Sequence, residues 1–156
     1  MIKIEYPHYE YKIDKRADTE IIFDVVRKLW VNLTPEEWVR QNFLQYLLQV
    51  KQYPSSLIAV EKEIYLGELK KRCDIIAYNR NSNPLMIVEC KAMHVEISNK
   101  TLEQILRYNI SLPVRYLIIT NGLYCFAFER LQHSFSVLNE IPFWNDQSIV
   151  RPDPKE

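Results

Sequence analysis

Glycine is scarce in this chain: Gly67 and Gly122 are the only 2 in 156 residues, where average usage is roughly 7%. A P-loop needs two glycines five apart, and a dinucleotide fingerprint needs three close together. Neither pattern fits, so any phosphate chemistry here does not rest on a Gly-rich loop. The 3 cysteines, Cys73, Cys90 and Cys125, are an odd set without C-x-x-C spacing. That argues against a zinc ribbon or a disulfide framework and for a reducing, cytoplasmic setting. No stretch approaches the ~20 apolar residues of a membrane span, and the opening MIKIEYPHYEYKIDKR lacks the apolar core of a signal peptide. An excess of one charge sign is missing too, because 20 basic and 20 acidic side chains cancel. Without a basic tail there is no bulk nucleic-acid footprint. This excludes an indiscriminate DNA-coating protein and leaves a DNA enzyme open.

What is present is ordinary apolar mass, 47% hydrophobic against 26% charged, enough for one core. Thr34-Pro-Glu-Glu37 reads as a helix start: Thr34 as N-cap, Pro35 at the first helical position, Glu37 completing a capping box. The helix is expected to run to about Lys51, with Val39, Phe43, Tyr46, Leu47 and Val50 on one face. Then the period falls to two. Leu57–Leu66 reads as a strand with Ile58, Val60, Ile64 and Leu66 on one side and Glu61 and Glu63 on the other. Arg72–Tyr78 and Leu85–Lys91 read as two more strands, separated by the turn residues Arg80-Asn-Ser-Asn-Pro84. Lys100–Ile110 reads as an amphipathic helix, and Arg115–Thr120 and Leu123–Glu129 as strands joined at Asn121-Gly122. Residues 9–31 show no assignable period, and the Pro-containing tail after Ile141 reads as irregular. One domain is expected, with its core over about 34–129 and residues 1–33 and 130–156 as extensions.

The chemistry concentrates in Asp74 and Glu89-Cys-Lys91. Side chains alternate along a strand, so Glu89 and Lys91 share a face and Cys90 points away. A hairpin turn centred between Asn81 and Ser82 sets Asp74 directly opposite Glu89, with Cβ atoms roughly 4.5–5.5 Å apart. Facing carboxylates between apolar strands destabilise unless a cation joins them, and Mg²⁺ takes one or two carboxylates plus waters and phosphate oxygens. Lys91 on the same face could orient a water or stabilise developing negative charge. This pattern suits metal-assisted phosphodiester hydrolysis; the plainer alternative is a solvated face with a cross-strand ion pair. Cys73 and Cys90 alternate away from the acids and read as core thiols, and His94 as a surface residue.

The order of a helix, a strand with Asp and a strand with E-x-K, then a second helix, resembles the PD-(D/E)xK nuclease superfamily. More narrowly, Thr34-Pro-Glu-Glu-Trp-Val-Arg-Gln41, Lys71-Arg-Cys-Asp-Ile-Ile76, Ile87-Val-Glu-Cys-Lys-Ala92 and Gln104-Ile-Leu-Arg-Tyr108 resemble the N-terminal nuclease domain of type I restriction enzyme R subunits. The resemblance implies an α/β fold, an αβββαβ restriction-endonuclease-like core built on a mixed sheet with flanking helices. It implies Asp74 and Glu89 as ligands of Mg²⁺ or Mn²⁺, Lys91 as the catalytic lysine, and Gln104 and Tyr108 as residues that contact DNA or position the site. The superfamily often adds a glutamate from the first helix, and Glu36, leaning toward the sheet, is the candidate here. Two departures stand out. Cys73 takes the place of the proline before Asp74, and no Walker motif is present, so the expected partners are DNA and a separate restriction-modification or motor subunit, with no membrane. A second expectation, from another class, is a non-catalytic nuclease-fold module that binds nucleic acid or a protein.

Overall fold

The computed structural model describes residues 1–144. In chain order the strands are β1 (Ile2–Lys3), β2 (Ile13–Arg16), β3 (Thr19–Asp24) and β4 (Leu29–Asn32). Helix α1 (Pro35–Gln45) continues into a π-helical turn, Tyr46–Val50. Then come β5 (Ile58–Leu66), β6 (Leu69–Tyr78), β7 (Pro84–Cys90), α2 (Asn99–Asn109), β8 (Tyr116–Thr120), β9 (Tyr124–Arg130) and β10 (Phe135–Leu138). The αβββαβ order expected from the sequence is therefore the observed one. The expected irregular tail is irregular over 141–144; its Pro152 and Pro154 lie outside the described residues.

The main sheet runs β1-β9-β8-β7-β6-β5, with β10 also on β9, and is mixed: β7 and β8 are parallel, the other neighbours antiparallel. Both faces are buried, which is why β7 and β8 are almost wholly apolar. Met86, Val88, Tyr116 and Ile118 pack with Val39 and Phe43 of α1 and Leu47 of the π-helical turn, whereas Ile87, Leu117 and Ile119 pack with Leu102 of α2. The sheet is thus a layer between two helices, and each helix can present residues at one end of the β6–β7 pair.

The unassigned region 9–31 forms a separate three-stranded antiparallel sheet, β2-β3-β4. Its first turn uses Ala17 at φ 55 where Gly or Asn would ordinarily signal a reversal, so the usual marker was missing. Buried Asp24 ends β3 and fixes the next turn: it accepts from the backbone N–H of Val26 and Arg27, pairs with Arg27 Nε at 2.6 Å and accepts from Gln41 Nε2 of α1 at 2.9 Å. Burial works against the charged Asp24, but these donors outweigh it and hold its carboxyl below the ordinary range. A depressed folded pKa contributes stability that is present above the unfolded value of ~3.9 and lost as pH falls through the folded value. The stability gap between wild type and Asp24→Asn in urea melts should therefore shrink as pH is lowered from about 5 toward 2; a gap that stays constant would remove Asp24 from the acid response.

Gly122, in the β8–β9 turn, sits at φ 91, and a Cβ there would come within 3.1 Å of Val39 Cγ2 on α1. Its carbonyl accepts from Tyr6 Oη at 2.8 Å. Gly67, in the β5–β6 turn, has φ 66 but open space around it. Gly122→Ala is therefore expected to lose about 2–3 kcal/mol, backbone strain plus overpacking, against about 1 kcal/mol for Gly67→Ala. Equal losses in urea unfolding would show that the turn does not press on α1.

Candidate active site

From Ile75 to Ala77 the hairpin keeps the register expected from the sequence; nearer the turn it shifts, and Tyr78 pairs with Pro84 instead of Leu85. Ile75 pairs with Val88, Ile76 with Ile87 and Ala77 with Met86, and the paired ladder ends before Asp74. There the ladder gives way to a side-chain bond, the backbone N–H of Cys90 donating to Asp74 Oδ2 at 2.8 Å.

The alternation of faces does not run straight through this point. On β6, Ile75 and Ala77 face α1, yet Cys73 and Ile76 face α2. On β5, Ile58 and Val60 face α1 while Ile64 faces α2, so the expected single apolar side for Ile58, Val60 and Ile64 is corrected. The cause is local. Glu61, at φ 53, lies between the Val60–Ile75 and Lys62–Cys73 pairs and so opposite Asp74. A left-handed residue within a strand reverses the pleat, and such irregularities gather at sites that re-aim a side chain.

Asp74 is accordingly held from the α1 side. Its Oδ1 accepts from Arg40 Nη2 at 3.1 Å, and the same nitrogen reaches Glu61 Oε1 at 2.8 Å and Glu36 Oε1 at 3.3 Å. Arg40 Nη1 donates to Glu37 Oε2. Glu37 is not the completed capping box expected: its backbone N–H does bond Thr34 Oγ1 at 3.0 Å, but its buried carboxylate joins Arg40, Arg27 and Gln41 instead of turning back to the cap. Glu36 is half exposed and borders the same group.

Glu89 is held from the other layer. Its Oε1 accepts from Lys71 Nζ at 2.6 Å, and that ammonium lies 4.5 Å from the centre of the Tyr108 ring on α2. Lys71, Arg72, Glu89, Gln104 and Tyr108 line one cavity of about 420 Å³. Gln104 and Tyr108 are exposed on α2, as the i, i+4 spacing implied. Lys91 follows β7, half-buried, its backbone N–H bonded to Thr120 O at 2.8 Å. It lies close enough to Glu36 for its charge to favour the Glu36 carboxylate.

Asp74 and Glu36 are both held above the ordinary carboxylate range. Burial pushes Asp74 up, Glu89 adds to this, and neither the Cys90 N–H nor Arg40 offsets it. Burial and then Asp74 push Glu36 up as well. Glu61, opposed by burial but flanked by Arg40 and Arg72, is instead held low. The donors are hard oxygens, the chemistry of Mg²⁺ or Mn²⁺ rather than of zinc. Among the described residues no three His, Cys, Asp or Glu side chains converge into a ready cage. The shared face expected for the two carboxylates is corrected: Asp74 is held by Arg40 from the α1 layer and Glu89 by Lys71 from the α2 layer, and both are oxygen donors of the kind Mg²⁺ or Mn²⁺ takes.

Two participants were not read from the sequence, Arg40 and Lys71. Both side chains are only 6% exposed, and a cation that deep requires carboxylate partners. The cysteines behave as expected: Cys73 and Cys90 are buried and free, and His94 is exposed.

Residues 35–142 match the family model described as type I restriction enzyme R protein N terminus (HSDR_N). No curated protein matches the chain.

Proposed function

The chain belongs to the family of type I restriction enzyme R protein N termini, and from that membership we propose that it is a divalent-cation-dependent DNA endonuclease domain. The observation that carries the proposal is the β6–β7 pairing, which brings Asp74 beside the Glu89-Cys-Lys91 segment at the end of two central strands. Asp74 and Glu89 would hold Mg²⁺ or Mn²⁺. The bound ion would polarise the scissile phosphate and lower the pKa of a water at the site.

The rest falls to the chain itself. Lys91 supplies a mobile ammonium that orients the attacking water or balances charge gathering on the phosphate oxygens. Glu36, whose carboxyl is held above its ordinary value by burial and by Asp74, borders the site as the first-helix glutamate. The π-face of Tyr108 offers a stacking surface, and Gln104 beside it offers amide hydrogen bonds to the backbone. With zero formal net charge there is little counterion release to drive binding. Affinity for DNA should therefore be weak unless a separate restriction-modification or motor subunit adds grip.

Nicking of supercoiled plasmid in Mg²⁺ tests this. Asp74→Ala, Glu89→Ala and Lys91→Ala should each abolish it; if all three nick as fast as wild type, the chain is not a nuclease of this design. The second reading, a non-catalytic nuclease-fold module, draws on one observation: Arg40 and Lys71 already neutralise the two ligand carboxylates. A Mn²⁺ titration with no binding near Asp74 and Glu89 would favour that reading.

A further inference from the structure

We propose that Lys71 is a positioning residue that ties the α2 cavity to Glu89: a nucleic-acid phosphate entering the cavity takes the Lys71 ammonium and releases the Glu89 carboxylate to the divalent cation. The inference rests on the reading of Glu89 as a metal ligand.

Lys71 stands where both events meet. Its Nζ bonds Glu89 Oε1 at 2.6 Å on one side and lies 4.5 Å from the Tyr108 ring centre on the other. An ammonium has three donors and no acceptor, and buried at this depth it is costly without an anion. It is therefore stable when exchanging one anion for another and unstable when losing Glu89, its one anion among the described residues. The cavity is open to such an exchange. Its volume of about 420 Å³ falls in the size range of small-ligand sites. Arg72, largely exposed and paired with Glu61, lies at its rim, and Gln104 adds amide groups and Tyr108 an aromatic face. That combination suits a phosphodiester with its attached base: charge for the phosphate, a ring for stacking.

The consequence is a reciprocal coupling. While Glu89 belongs to Lys71, a divalent ion must compete with an internal cation for it. Once a phosphate holds Lys71, that competition ends. By linkage, DNA then raises metal affinity by the same factor that metal raises DNA affinity.

The test is Mn²⁺ binding by calorimetry, with and without a short DNA duplex under non-cleaving conditions, in wild type, Lys71→Met and Lys71→Arg. Wild type should bind Mn²⁺ at least about 5-fold more tightly with DNA. Lys71→Met keeps the buried stem but removes the charge. It should bind Mn²⁺ more tightly than wild type without DNA and gain less than wild type when DNA is added. Lys71→Arg should restore the gain. A Lys71→Met chain that keeps the wild-type gain, or binds Mn²⁺ less tightly without DNA, overturns the proposal. Should Lys71→Met unfold the tightly packed hairpin, the wild-type chain gives a second readout. The Lys71 ammonium signal in lysine side-chain NMR should shift on adding metal-free duplex, and an unmoved signal overturns the proposal as well. If wild type binds no Mn²⁺ even with DNA, the metal reading of Glu89 fails by itself, and the NMR shift still decides whether phosphate reaches Lys71.

Discussion

A Lys91→Met chain is expected to fold and bind divalent cation as wild type does, yet to cleave DNA on the order of 10²–10³-fold more slowly. The residue's anchoring is in its backbone, whose N–H bonds Thr120 O at 2.8 Å where β7 ends, and methionine keeps that bond. The ammonium is in no ion pair among the described residues. Removing it leaves no buried carboxylate without its partner, so stability should stay within about 0.5 kcal/mol. Metal affinity should hold or rise, because a like charge leaves the site. The separation of rate from binding identifies the lysine's role. Plasmid nicking within a few-fold of wild type would remove Lys91 from the chemistry. A parallel loss of Mn²⁺ binding would make it a residue of the metal site instead.

Replacing Arg40 by Met should have the largest effect on stability. Its guanidinium joins Glu36, Glu37, Glu61 and Asp74, and without it these carboxylates face one another at a largely buried position. Breaking one partner of a buried ionic cluster costs about 3–5 kcal/mol, a fall in melting temperature of roughly 6–20 °C for a domain of this size. The same loss opens room for a cation of another kind. Millimolar Mg²⁺ should therefore raise the melting temperature of Arg40→Met by more than it raises that of wild type. A variant that melts within about 1 °C of wild type would mean that the cluster contributes nothing net.

Much of the site was legible because it obeys periodicities. The β6–β7 register from Ile75 to Ala77 followed from the turn residues between Arg80 and Pro84, and Gln104 and Tyr108 share a stripe by helical spacing. The misreadings lie where one residue interrupts a period. Glu61 adopts a left-handed backbone without being glycine, so the strand pattern gave no warning that the pleat reverses beside Asp74. Glu37 satisfied a local motif, and only the fold brings Arg27 and Arg40 to claim its carboxylate. Lys71 sits in the charged run Lys70-Lys71-Arg72, which reads as a solvated strand end. It is buried because α2, packed over the sheet from later in the chain, lays Tyr108 across it. Arg40 lies beside the apolar stripe of α1, where a long charged side chain ordinarily turns outward.

The buried guanidinium and ammonium also bear on how such a chain is made and kept. Small zinc domains wait for their ion before they fold, and chelators unfold them. Here folding supplies its own counter-ions, so a metal-starved cell could synthesise the chain in native form. Chelator added to the purified chain should then leave its melting curve in place. If the chain is the nuclease proposed above, it would be stored folded, and its readiness would be set by ion supply and by the arrival of nucleic acid, not by refolding.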